Sequence, residues 1–118
     1  MLTQIENNKG IISYDNALVD QVISEVISAY QGSVKLVKKS YEMTQFGVDM
    51  DLECHLRFGT SISAFAEYVL RELYDTIDGR LELPVNRISL LISGIYSKKT
   101  APRRIRFEIN NKSEITNH

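Results

Sequence analysis

The stretch FGVDMDLECHLRFG, residues 46–59, sets Asp49, Asp51, Glu53 and His55 at every second position. Side chains two apart on an extended strand share one face with Cα atoms roughly 7 Å apart, so Asp51, Glu53 and His55 could converge on one cation. A plainer explanation is stronger. Val48, Met50, Leu52, Cys54, Leu56 and Phe58 alternate with the polar row without a break, and a half-buried strand must turn something polar outward. A general acid needs a desolvated pocket to raise its pKa, and an open sheet face offers none. Cys54 and His55 are adjacent, so on a strand they point to opposite faces and form no thiolate–imidazole dyad. Cys54 reads as a small buried hydrophobe. No catalytic, metal or cofactor residue is assigned.

Other chemistry finds little support. There is no phosphate loop, dinucleotide fingerprint or nucleophile elbow, and ISGIYS lacks the GxSxG spacing. A basic cluster remains, in which Lys98, Lys99, Arg103, Arg104 and Arg106 place five positive charges in nine residues with no acid among them. Such a run can meet phosphates. Without a GxxG loop or an aromatic pair on an open strand face, nucleic acid stands as the second reading and a solvated tail as the first. Lys35, Lys38 and Lys39 extend the patch only if the fold brings them to it.

The elements that position these residues follow from periodicity. Residues 1–9 are polar and aperiodic and read as a flexible lead to a short strand, GIISY. From a cap at Asp15 or Asn16, Leu18, Val19, Val22, Ile23, Val26, Ile27 and Tyr30 mark an amphipathic helix closed by Gly32. Its apolar arc is broad for packing on one sheet face, which leaves the Ile23/Ile27 edge for something extra to cover. Residues 33–43 read as a weaker strand, TQFG as a turn, and 48–58 as the surest strand. A second helix carries Ile62, Phe65, Ala66, Val69, Leu70, Leu73 and Ile77 and ends near Gly79, with a solvated Glu67–Arg71 pair and with Tyr68 off its apolar arc. Ile88, Leu90 and Ile92 mark a last core strand that Gly94 breaks.

The expected class is α+β, a two-layer sandwich of order β-α-β-β-α-β with two helices on one face of a mainly antiparallel sheet. Residues 10–96 form its single domain. Residues 97–118 form a basic tail in which Ile105, Phe107 and Ile109 alternate with Arg104, Arg106 and Glu108, a candidate edge strand over 103–109. The 118 residues suffice for one core, and 43% hydrophobic with 25% charged residues is ordinary globular composition. A net charge of −1 argues against a protein basic all over, and a single cysteine fits a reducing compartment. No apolar run is long enough to span a bilayer, so direct membrane insertion is not expected.

With the elements placed, the pattern resembles the alkaline shock, or envelope stress response, protein family of Gram-positive bacteria. GIISYDNALVDQVISEVISAYQG is similar to that family's glycine-led strand and helix of Val/Ile pairs ending at glycine. GVDMDLECHLRFGTSISAFAEYVLREL is similar to its alternating strand and second helix, and ISLLISGI matches its closing strand in spacing. The resemblance covers roughly residues 10–96. It implies a non-enzymatic cytoplasmic protein that self-associates and is recruited to the inner face of the cell membrane by a small membrane-anchored partner of the same family. The family has no catalytic motif, so no site residue carries over. The candidate contact surfaces are therefore those read from the residues: Ile23 and Ile27 on the first helix, and Ile105, Phe107 and Ile109 on the tail.

Overall fold

A computed structural model describes residues 2–7, 10–96 and 104–117, with the backbone alone over 2–7 and 10–15. The chain is α+β, with two helices against one face of a mixed sheet. Its elements are β1 (Leu2–Asn7), β2 (Gly10–Asp15), α1 (Asn16–Ser28), β3 (Val34–Thr44), β4 (Gly47–Arg57), α2 (Ile62–Asp75), β5 (Val85–Tyr96), β6 (Ile105–Asn110) and β7 (Ile115–Asn117). A five-stranded sheet runs β3-β4-β5-β6-β7, and β1 and β2 form a separate two-stranded sheet. Every neighbouring pair is antiparallel except β4 and β5, which the α2 crossover makes parallel.

The alternation in β4 decides which face is sealed. Met50, Leu52, Cys54 and Leu56 are buried under the helices, while Asp51 and Arg57 lie exposed on the other side. Phe58, the last apolar residue of that alternation, is not part of the strand and is half exposed, because Gly59 at φ +95° turns the chain toward α2. Ser61 caps α2, its Oγ accepting from the Ala64 N–H at 3.3 Å, and the helix buries Phe65, Ala66, Val69, Leu70 and Leu73. A single π turn, Thr76–Arg80, then keeps Ile77 in the core. Arg71 is more than half of a solvated pair. It lies 3.6 Å from Glu67 and also donates to the Ser113 carbonyl at 3.1 Å, tying α2 to the β6–β7 turn.

On α1, Val19, Val22, Ile23 and Val26 are buried, Leu18 is exposed, and Ile27 and Tyr30 are partly buried against the core. The breadth of the arc has an internal cause: α1 faces the sheet on one side and α2 on the other. Just past its end, the Tyr30 ring meets Phe65 edge-on at 4.9 Å and Tyr68 at 5.6 Å, which also accounts for Tyr68 lying off the α2 stripe. At the other end, the Tyr41 hydroxyl of β3 lies 2.8 Å from Asp20 Oδ1 and 3.1 Å from the Asn16 carbonyl. That hydrogen bond, with a second from Lys39, lowers the Asp20 pKa. Asp20 therefore adds stability above its unfolded pKa that is lost as pH falls through the folded value. Tyr41→Phe should raise the Asp20 pKa and flatten that acid limb. A carboxyl titration by NMR that leaves Asp20 where it was would show the contact to be idle.

Three expectations are corrected. Residues 2–7, read as a flexible lead, form strand β1, which pairs with β2 from Leu2↔Asp15 to Asn7↔Gly10, so GIISY joins a hairpin instead of the main sheet. Gly94 does not end β5; the strand runs to Tyr96 through a register shift opposite Cys54 and His55. The tail strand spans Ile105–Asn110 instead of 103–109, and it is interior, held between β5 and β7 within the same chain.

Candidate functional site

The sheet face away from the helices carries the polar groups singled out by the sequence. β3 places Lys38 across from Glu53, Ser40 from Asp51 and Glu42 from Asp49. On the other side, β5 sets Arg87 beside Asp49, Ser89 beside Asp51 and Leu91 beside Glu53, and β6 sets Arg106 opposite Leu91. A shallow depression of about 450 Å³ opens there, lined by Lys38, Lys39, Asp51, Glu53, Leu91 and Arg106.

The acids of the row are each engaged sideways by a different partner. Asn86 Nδ2 donates to Asp49 Oδ1 at 2.7 Å, Arg87 forks onto Asp51 at 3.2 and 3.5 Å, and Ser93 Oγ donates to Glu53 Oε2 at 2.7 Å. The Ser93 hydrogen bond holds the Glu53 carboxyl below its ordinary value against the opposing effect of burial, helped by the charges of Lys38, Arg104 and His55. An acid so held is ionised near neutrality and carries no proton to donate as a general acid. Among the described residues, no group of three or more His, Cys, Asp or Glu side chains is arranged to hold a metal. Cys54 lies on the far side, fully buried, and burial with the nearby Glu53 charge pushes its thiol up to about 12. As the alternation required, it faces away from His55.

His55 has a packing role. Its ring lies over Gly94, where an added Cβ would sit 3.0 Å from Cδ2 and 3.1 Å from Nε2. Gly94→Ala should cost about 1 kcal/mol in the wild type and close to nothing in a His55→Ala background. Equal costs in the two backgrounds, measured by urea unfolding, would contradict this contact.

The expected contact surfaces fare unevenly. Ile23, Phe107 and Ile109 are 1%, 6% and 0% exposed, so they belong to the chain's own core and present no surface to a partner. Ile27 and Ile105 are half-buried against that core. Phe107 and Ile109 are covered because they share the core face with Leu90 and Ile88, under α2, and Ile23 because α2 lies beside α1. Of the basic cluster, Lys98, Lys99 and Arg103 lie outside the described residues and Arg104 is exposed. Arg106 donates to the buried Ser89 hydroxyl at 2.5 Å. The fold does bring Lys38 to the same depression as Arg106, but with Asp51 and Glu53 between them, and the Lys39 ammonium lies on the helix side, 3.1 Å from Asp20 of α1. Lys35 is drawn away, its ammonium 4.4 Å above the Tyr96 ring.

Sequence reasoning missed the outer edge of β3. Residues 35–40 are all exposed, including Leu36 at 37% and Val37 at 45%, and among the described residues β3 pairs with β4 alone. The signal was the lysine spacing, since lysines are a common feature of edge strands. Comparison with protein-family models, with curated proteins and with solved structures returned no match. Among the described residues, no helix is long and apolar enough to cross a membrane.

Proposed function

We propose that this chain works by binding and not by turnover: an interaction module that self-associates and is recruited to the inner face of the cell membrane by a small anchored partner, in support of envelope stress tolerance. The observation that carries the binding part is the long exposed edge of β3, six consecutive exposed residues with, among the described residues, no strand on their outer side. The pairing of Asp49, Asp51 and Glu53 with Asn86, Arg87 and Ser93 supports it from the other direction, because acids already engaged by neighbours are not poised for a substrate. The cytoplasmic setting and the anchored partner rest on the resemblance of residues 10–96 to the alkaline shock family.

The test is fractionation of cells expressing the tagged full chain, followed by cross-linking and mass spectrometry. The expected result is recovery with the membrane pellet, linked to a small protein with one apolar span. Recovery wholly in the cytosolic fraction, with no such protein linked, would sink the recruitment. The alternative, a nucleic-acid surface on the basic tail, predicts binding to RNA or DNA that weakens steeply with salt. The acids interleaved with Lys38 and Arg106 count against it.

A further inference from the structure

Among the described residues, and apart from the three-residue β7 at the far edge of the sheet, two parts of the chain have unused pairing capacity. One is the outer side of β3 from Lys35 to Ser40, a run of exposed residues with a register shift between Leu36 and Lys38. The other is the β1–β2 hairpin, a two-stranded sheet with no ladder to the five-stranded one among the described residues. A lone hairpin is marginal in water and gains from a third strand.

The hairpin is badly placed to supply its own β3. β2 ends at Asp15 and α1 begins at Asn16, with no residue between. Crossing from a helical layer to a sheet layer about 10 Å away takes roughly three extended residues. A strand that runs straight into α1 therefore stays out of the plane of its own sheet. A second copy has no such restriction.

Charge selects among the ways two copies could meet. β3 carries Lys35, Lys38 and Lys39 against one acid, Glu42. Two β3 edges paired together would set lysines against lysines, which is unfavourable directly across a ladder. The hairpin strands LTQIEN and GIISYD carry Glu6 and Asp15 and no basic residue. We propose that the β1–β2 hairpin of one copy adds to the β3 edge of a second copy, the exchange being reciprocal about a twofold axis. This rests on the self-association reading above and names its contact.

The test uses full-length chains carrying one new cysteine each, Gln4→Cys or Ser13→Cys on the hairpin and Val37→Cys on β3. Gln4 and Ser13 face each other across the hairpin, so one stands on each of its strands. Native Cys54 is buried and does not compete. When a hairpin variant and the Val37→Cys variant are mixed and treated with a short bis-maleimide, the expected product joins one chain of each kind. Lys35→Glu with Lys38→Glu should weaken self-association about tenfold, and mixing with a Glu6→Lys, Asp15→Lys chain should recover it. A dominant Val37–Val37 product, or an intrachain link in a Ser13→Cys, Val37→Cys double variant, overturns the proposal. Oligomers without any hairpin-to-β3 link overturn it while leaving self-association standing. A chain that is monomeric at every concentration removes both.

Discussion

Replacing Phe65 with alanine is expected to lower stability by about 3–5 kcal/mol, the range for emptying a fully enclosed aromatic site. Phe65 is 0% exposed, sits at the first turns of α2, and takes the Tyr30 ring edge-on at 4.9 Å. It is the point where the end of α1, the start of α2 and the sheet are packed together, so the hole left by alanine has walls on three elements. Those walls cannot all relax at once. Denaturant unfolding should show a lower midpoint with an unchanged slope. A loss under about 1.5 kcal/mol would mean that α1 and α2 do not share this contact, and the internal explanation for the broad arc of α1 would go with it.

Gly47→Ala carries the second large effect, about 2–4 kcal/mol, combining a strained left-handed conformation with a broken ladder bond. Gly47 opens β4 at φ +119°, and a Cβ there would lie 2.6 Å from the Pro84 carbonyl oxygen and 2.9 Å from its carbon. The intruded group is backbone and has little room to give. That same oxygen accepts from the Val48 N–H at 2.8 Å, leading into the parallel ladder between β4 and β5. Gly32 provides the control, since it has φ +86° but nothing within 4 Å of the position its Cβ would take. Gly32→Ala should therefore cost only about 1 kcal/mol. Equal losses in the two variants would show that the close approach at Pro84 is not real.

How far the sequence could be read depended on whether a feature is local. The β4 alternation from Val48 to Leu56 and the buried stripe of α2 are fixed by period alone, and both appear where the pattern put them. The interior place of β6 is not local. It depends on β7, three residues long and too short to show a period. Without β7 the tail looks like an edge, and nothing local to it shows that α2 packs over Phe107 and Ile109. β1 was lost for a similar reason, because LTQIEN has too few apolar positions to establish alternation on its own.

The candidate site divides in the same way. That Asp49, Asp51, Glu53 and His55 share an open face follows from their spacing. Which groups answer them does not, because Asn86, Arg87 and Ser93 arrive through a parallel register that only the α2 crossover determines. The exposure of β3 over residues 35–40 was also hidden, as it depends on how far α1 and α2 reach across the sheet. Three lysines in five residues hinted at it.

The central claim is that this chain acts by assembling, with β3 as its open side. Sedimentation equilibrium of the full-length protein across a wide concentration range measures that directly. The account predicts a mass that rises with concentration above the 13.5 kDa of one chain, and a lower mass at equal concentration for the Lys35→Glu, Lys38→Glu variant. A constant 13.5 kDa for the wild type at every concentration would contradict it.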